Sequence, residues 1–374
     1  MQEIKNISIN ETGTFFCCCM STDISIYSVQ PAAKIYTITN TQLGGVPVMA
    51  RLLDSSNLMV AIIAIPGNLK KLILYDLSRH VNVDIIQPIT GKDDTDIFAK
   101  KSIPDHINPL LADIRHEPNI LRNVFITKTY FIISFTRKII VFNYTEYAAD
   151  THLPMMERFD KHSKFVIITP YNTYGLCSFH ENTLKVAFPS IRVGSIEIRR
   201  LISNPKQSAS PKIISAFSEA VNILVFSNKG DMICVTSILG NIIRIFNAVN
   251  ESTTHTHEFR RGIDHATMHS LRFFKHDTYI ICSSDKGTVH IFSVTEASLN
   301  KKSIINSIGF LSPYLNSLYG MTKFPLYTEQ ISAVSFTNCG NLLAVSSDGF
   351  IHLYSFNACK ANYLDCTQFT RLKL

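Results

Sequence analysis

Tryptophan is absent from the 374-residue sequence, and glycine is scarce at 15 residues. The longest uncharged apolar run, Leu58 to Ile65, has eight residues, far fewer than the roughly 20 that a membrane-spanning helix requires. We therefore expect no transmembrane segment. The opening residues, MQEIKNISIN, lack a basic region followed by an apolar stretch, so a secretory signal peptide is not expected either.

The cysteines and histidines give little support for disulfides or for a bound metal. The nine cysteines are odd in number and contain no CxxC pair, which favours reduced thiols in a cytosolic protein. His255 and His257 have no third ligand at a fixed spacing, so no metal is expected. The 36 basic and 29 acidic residues give a net charge of +7, which permits an anionic partner without specifying one.

Motifs of catalysis and of nucleic-acid binding are also missing. The sequence contains no GxSxG, HExxH or Walker phosphate loop, so neither an enzyme nor a bound cofactor is expected. Its basic residues are dispersed, without the aromatic and basic motif of an RNA-binding sheet, and no nucleic-acid partner is expected. No helical pattern is long enough to cover a parallel sheet, which disfavours an α/β fold.

What the sequence does contain is a short strand that occurs seven times. Each copy is apolar at alternate positions and ends in an aromatic residue, and most copies follow a second apolar strand across a polar turn. These aromatic anchors are Tyr27, Tyr75, Phe142, Phe188, Phe246, Phe292 and Tyr354. Their spacings of 46 to 67 residues match a four-stranded blade plus a variable loop. The pattern predicts an all-β fold, a seven-bladed β-propeller with WD40-like repeats spanning residues 1–374; two β-sandwiches are the alternative.

Two stretches interrupt the repeat. Residues 84–113 contain the acidic segment GKDDTD and three prolines, a composition typical of a surface insertion. In residues 295–324, apolar side chains recur at steps of three and four residues, a pattern typical of an amphipathic segment.

An arginine pair, Arg260 and Arg261, lies between the fifth and sixth copies in the segment EFRRG. Side-chain direction alternates along a strand, so the two arginines should point to opposite sides and serve two neighbouring pockets. A guanidinium has five donors in a planar fork and binds phosphate oxygens bidentately. The alternative is a pair of solvated surface arginines.

The segment FRRG, followed by SLRFF and SSDKGTVHIF, resembles the PROPPIN family of seven-bladed propellers. YGLCSFHENTLKVAFPS and GNIIRIF are similar to the family's fourth and fifth blades. The resemblance implies an effector that binds phosphatidylinositol 3-phosphate and/or 3,5-bisphosphate on cytosolic membrane faces and recruits protein partners of the autophagy or endosomal machinery. It also implies a cytoplasmic protein recruited peripherally to phagophore, endosomal or vacuolar membranes. A propeller scaffold that binds proteins without lipid is the alternative.

The same resemblance implies two phosphate pockets. In the second pocket Arg261 would bind the phosphate and Gly262 would let the backbone turn, with further contacts from Ser270, Ser284, Thr288 and His290. The first pocket would contain Arg260, Ser237, Arg244 and Asn241. There Phe217 replaces the family's histidine and Asn241 its threonine, which predicts a weaker or altered first site. Protonation of His290 is expected to strengthen binding as the pH falls from about 7.5 to 6.

The resemblance further implies that residues 295–324 form a loop that contacts the membrane. Its apolar face would consist of Ile304, Ile305, Ile308, Phe310, Leu311, Leu315 and Leu318. A loop packed back on the propeller is the alternative, because Pro313 breaks any helix near its middle. Two pockets and a loop on one rim would combine their affinities at a membrane.

Overall fold

The computed structural model describes residues 3–53, 58–67, 69–78, 81–86, 120–143, 163–202, 210–301, 318–326, 331–356 and 366–367. Nearly all of the regular structure in these ranges is β-strand, with one short helix, α1 (Asn40–Leu43), and a 3-10 turn at Ala297–Leu299. No helix of the described ranges is long and apolar enough to cross a membrane.

The strands form seven sheets, and five of these are built only from strands that follow one another along the chain, whereas blades 5 and 6 each end in a strand from further along. Blade 1 contains β1 (Ile4–Ile9), β2 (Phe15–Met20), β3 (Asp23–Ser28) and β4 (Ala33–Thr39). Blade 2 contains β5 (Val46–Leu52), β6 (Leu58–Ile65), β7 (Leu69–Asp76) and β8 (Val81–Ile86). Blade 3 contains β9 (Leu121–Ile126), β10 (Tyr130–Phe135), β11 (Lys138–Asn143) and β12 (Ser163–Ile168). Blade 4 contains β13 (Ser178–His180), β14 (Lys185–Pro189), β15 (Ser195–Arg200) and β16 (Lys212–Ser215). Blade 5 contains β17 (Val221–Phe226), β18 (Met232–Ser237), β19 (Ile242–Asn247), β20 (His255–Arg260) and a fifth strand, β24 (Leu318–Tyr319). Blade 6 contains β21 (Met268–Phe274), β22 (Tyr279–Ser284), β23 (Thr288–Ser293) and β25 (Thr322–Pro325). Blade 7 contains β26 (Ser332–Phe336), β27 (Leu342–Ser346), β28 (Phe350–Tyr354) and β29 (Cys366–Thr367).

Seven hydrophobic clusters hold the blades in a ring, because each cluster lies between two successive blades. Between blades 7 and 1, Ile7 and Tyr27 pack with Leu343 and Ile351. Blades 1 and 7 are each built from their own strands in the described part of the chain. The ring therefore closes by side-chain packing and not by exchange of a strand.

The predicted seven-bladed propeller is confirmed, and the seven aromatic anchors are at most 3% exposed. Each anchor packs into the cluster shared with the preceding blade, and burial of one such side chain contributes about 1.5–3 kcal/mol. The prediction is wrong by one strand in blade 4. Phe188 lies on the second strand, β14, whereas the other anchors lie on third strands. The third strand of blade 4, β15, ends in Arg200, so the repeat pattern skipped it.

Described secondary structure overlaps both predicted interruptions. Residues 84–86 complete β8, so only residues 87–113 remain for the first insertion, and these lie outside the described residues. In the range 295–324, residues 297–299 form the 3-10 turn and residues 322–324 belong to β25. Ile304, Ile305, Ile308, Phe310, Leu311 and Leu315 also lie outside the described residues.

A buried carboxylate joins blades 5 and 6. Asp277, which is 2% exposed, accepts the backbone N–H groups of Asn228 at 2.7 Å and Lys229 at 3.0 Å. Asp277→Ala would leave both donors without this acceptor, so we expect a loss of about 2–3 kcal/mol in the free energy of unfolding, measured in urea. His276→Ala is the matched control, because His276 is exposed and has a similar positive φ. An equal loss in both variants would contradict the interpretation.

Candidate phosphate-binding site

The two arginines of FRRG diverge where β20 ends. Strand register places Arg260 opposite Ile242 and Glu258 opposite Arg244, so these side chains share the face toward blade 4. Arg261 follows on the other side, where the Cys282 thiol and the Asp285 carboxylate of blade 6 act on its charge. Each arginine therefore serves a different boundary between blades.

Two backbone carbonyls fix the Arg261 side chain in a buried position. Its Nε donates to Gly240 O at 2.8 Å and its Nη2 donates to Asp264 O at 2.6 Å, and the residue is 6% exposed. Arg261 makes no ion pair with a carboxylate of the described residues. Burial lowers the pKa of the guanidinium, although Asp285 and Asp264 act in the opposite direction. The result is an oriented cation that lacks a paired anion.

Polar groups of blade 6 surround this cation. Thr288 Oγ1 and His290 Nε2 are 3.1 Å apart, and Lys323 lies directly across the sheet from His290. Burial, together with the charges of Arg261 and Lys323, lowers the pKa of His290 to about 4. His290 is therefore neutral near pH 7, and the expectation that it gains charge between pH 7.5 and 6 is wrong for the unbound protein.

Two of the predicted hydroxyl donors lie on opposite faces of blade 6. Ser284 pairs with Thr288 and shares the face toward blade 5, with its hydroxyl accepting the Lys286 N–H at 3.4 Å. Ser270 faces blade 7, where its hydroxyl accepts the Val334 N–H at 3.3 Å. The assignment of Ser270 to the Arg261 pocket is thus corrected, since the bulge after Met268 changes the face that this strand presents.

The predicted first pocket already contains an internal ion pair. Arg244 Nε is 2.8 Å from Glu258 Oε2, and its Nη1 donates to Ala216 O at 2.6 Å. The guanidinium also lies 4.8 Å from the centre of the Phe217 ring. Ser237 is buried, and its hydroxyl accepts the Leu239 N–H at 3.3 Å. The residues predicted for this pocket are close together, but Arg244 is held by protein groups.

The base of the predicted membrane loop lies beside the arginine pair. Strand β24 runs parallel to β20, with Leu318 next to Phe259 and Tyr319 next to Arg260. Tyr319 and Lys301 exchange two backbone hydrogen bonds of 2.9 and 3.1 Å. Leu318 packs against the cluster between blades 5 and 6. Its assignment to a membrane-inserting face is therefore corrected.

The turns near Arg261 expose two large apolar side chains, and the same turns contain glycines. Ile263 is 76% exposed and Ile238 is 54% exposed, and each lies within two residues of a predicted pocket residue. Gly262 does not have a positive φ, and a Cβ there would meet open space. The predicted conformational role of Gly262 is therefore wrong, and Gly240, at φ +60°, is the glycine that the pocket requires.

Lys323 and His269 were missed by the sequence analysis. Lys323 lies in the outer strand of blade 6, far from FRRG in sequence, and only strand pairing brings it to His290. His269 occupies the bulge of β21, and its buried Nδ1 has no hydrogen-bond partner. The positive charge of Lys323 in TKFP is the one feature of the sequence that could have indicated its place in the site.

Comparison with known proteins matches this chain to two family models. Residues 158–319 match the PROPPIN model, and residues 321–355 match the WD domain, G-beta repeat. Autophagy-related protein 18e of Arabidopsis thaliana is 29% identical over 214 residues, which cover 56% of this chain and 54% of that protein. The chain spans about half, or less, of the length of the curated relatives that it matches.

Solved structures share the fold along nearly the whole chain. Hsv2 of Kluyveromyces lactis has a TM-score of 0.67 at 16% identity and covers 98% of both chains. A similar propeller, KlAtg21, was solved as a complex with the coiled coil of AgAtg16 and has a TM-score of 0.67 at 14% identity over 98% of both chains. These similarities agree with the seven-bladed ring described above.

Proposed function

Residues 158–319 match the PROPPIN family model, and we propose from this similarity that the chain is a PROPPIN that binds phosphatidylinositol 3-phosphate and/or 3,5-bisphosphate on cytosolic membrane faces. Binding would recruit protein partners in autophagy or endolysosomal traffic. The protein would be cytoplasmic and peripherally attached to phagophore, endosomal or vacuolar membranes. Its role would be recognition, with no covalent bond made or broken.

The observation that carries this proposal is the guanidinium of Arg261, which is buried, oriented, and not paired with any carboxylate of the described residues. A desolvated cation is costly unless an anion meets it, and Lys323 adds a second positive charge on the same side of blade 6. Thr288 and Ser284 supply hydroxyl groups nearby. A phosphate monoester suits this set, because its oxygens accept several charge-assisted hydrogen bonds.

Membrane attachment would combine the Arg261 pocket with weaker contacts. Arg260 would bind a second headgroup, and Ile238 and Ile263 would contact the lipid interface. Residues 295–324 would add a membrane-contacting loop whose base lies beside Arg260. Several weak contacts in one membrane plane give an avidity that a single shallow pocket does not reach.

Vesicle flotation tests the proposal directly. Vesicles containing phosphatidylinositol 3-phosphate, the 3,5-bisphosphate, the 4-phosphate or no phosphoinositide are compared at equal surface charge. A phosphoinositide effector floats with one or both of the first two and not with the others. A protein scaffold, which the coiled-coil complex of KlAtg21 makes the second candidate, ignores the phosphoinositide content. Equal flotation in all four samples would reject the lipid function.

Binding is expected to change little between pH 7.5 and 6.5. His290, with a pKa of about 4, stays neutral over this interval. A bound phosphate would raise the pKa of His290. Vesicle affinity would then increase only as the pH falls through the pKa that His290 has in the bound state. Vesicle affinity is measured at three pH values for the wild type and for His290→Gln. A tenfold rise by pH 6.5 that His290→Gln abolishes would contradict this prediction.

A further inference from the structure

A second pair of arginines lies on the innermost strands of the ring. The first strand of each blade contacts the first strand of a neighbouring blade, as β1 contacts β5 and β26, so these strands surround the central channel of the propeller. Arg51 lies on β5 of blade 2, and Arg272 lies on β21 of blade 6. Both side chains are partly exposed, although their strands are packed on both faces.

The two guanidinium groups converge on one strand of blade 1. Arg51 Nη1 donates to Ser8 Oγ at 2.9 Å, and Arg272 Nη2 donates to Ile9 O at 2.9 Å. Arg272 also reaches blade 7, where its Nη1 is 3.3 Å from Ser335 Oγ. Ser8 and Ile9 are consecutive residues of β1, so the two cations lie within roughly 12 Å of each other.

Among the described residues, no carboxylate forms an ion pair with Arg51. The ionisable groups that act on it are the thiols of Cys17 and Cys19, and burial raises the pKa of Cys17 to about 12, so that thiol is neutral. Burial lowers the pKa of the Arg51 guanidinium. Its Nε is buried without a hydrogen-bond partner. The positive charge of Arg272, which contacts the same strand of blade 1, adds to the cost of burying the Arg51 guanidinium.

Hydroxyl donors accompany both cations. Ser8 Oγ accepts from Arg51 and Ser335 Oγ accepts from Arg272, so these two buried serines orient the guanidinium groups and each keeps an O–H that is not used by its arginine. The site lies inside the ring, whereas the FRRG pocket lies at the end of β20, the fourth strand of blade 5, so a headgroup attached to a bilayer does not reach it. We propose that the channel binds a small soluble polyphosphate, with its phosphate groups bridging Arg51 and Arg272.

Thermal unfolding in pyrophosphate tests the channel site. Arg260→Thr/Arg261→Thr protein is used so that the rim pockets do not contribute. Sodium pyrophosphate at a hundred times its Kd is expected to raise Tm by about 3 °C over sodium chloride of equal ionic strength. Arg51→Gln and Arg272→Gln, each in this background, are expected to weaken pyrophosphate binding at least tenfold by calorimetry. Arg122→Gln is the matched control, since Arg122 is another inner-strand arginine with a buried, unpartnered Nε.

Several results would overturn the channel site. One is no rise in Tm with pyrophosphate when the rim double variant is folded; another is retained affinity in Arg51→Gln. If Arg51→Gln does not fold, Arg51→Lys and Arg272→Gln decide the question, and unchanged affinity in both rejects the site. Loss of pyrophosphate binding through the rim double substitution alone would assign the anion to the rim. That outcome leaves the proposed lipid function standing while it removes the channel ligand.

Discussion

Replacing Arg261 by threonine is expected to weaken binding to vesicles that contain phosphatidylinositol 3-phosphate by roughly 100-fold. The reason is the loss of two charge-assisted hydrogen bonds to phosphate, worth about 1.5 kcal/mol each. Threonine cannot replace the guanidinium that Gly240 O and Asp264 O hold in place. Sedimentation of vesicles over a range of lipid concentrations measures the change.

Arg260→Thr is expected to have a smaller effect, about tenfold. In the pocket that Arg260 shares, Arg244 is held by Glu258 and packs on Phe217, so fewer donors remain for a headgroup. The difference between the two single variants measures how unequal the pockets are. An equal loss in both would show that the internal ion pair does not weaken the first pocket.

Two controls separate binding from folding. Arg200→Thr removes an exposed arginine of blade 4 and is expected to leave vesicle binding unchanged. Arg261→Lys keeps the charge but not the planar fork, so it is expected to bind with intermediate affinity. If Arg261→Thr remains folded, as judged by its Tm, and binds as tightly as the wild type, the second pocket is not the lipid site.

The fold was predictable because one physical requirement repeats seven times. Each blade buries an aromatic side chain against the preceding blade, and that requirement is visible in the sequence as an apolar alternation ending in an aromatic residue. The exception is informative: Phe188 meets the same requirement from the second strand of its blade. Apolar alternation in the sequence indicates that a strand is buried, but it does not indicate which position the strand occupies within the sheet.

The site was predictable in outline but not in its electrostatics. The divergence of Arg260 and Arg261 follows from the period of a strand. The face that Ser270 presents depends on a bulge, and the low pKa of His290 depends on burial and on Lys323. The ion pair of Arg244 with Glu258 depends on strand register. These features arise from pairing between distant segments, which no local motif specifies.

Gly240→Ala is expected to damage both the stability and the lipid binding of the protein, which links the turn of blade 5 to the pocket. Gly240 has φ +60°, and a Cβ there would clash with the carbonyl oxygen of Ala266. The turn would have to shift away from this carbonyl, and Gly240 O, the acceptor for Arg261 Nε, would shift with it. We expect a loss of about 3 kcal/mol or more in the free energy of unfolding.

Gly340→Ala is the matched control, because Gly340 has φ +78° and open space around its Cβ position. It carries the left-handed penalty of about 1 kcal/mol without the clash. Unfolding in urea and vesicle binding are measured for both variants at a temperature where both are folded. Gly240→Ala is expected to approach the binding defect of Arg261→Thr, and Gly340→Ala to bind like the wild type. The two variants share the backbone strain, so a binding defect restricted to Gly240→Ala is attributed to the displaced turn that holds Arg261. Normal binding by folded Gly240→Ala would show that the carbonyl of Gly240 does not position Arg261.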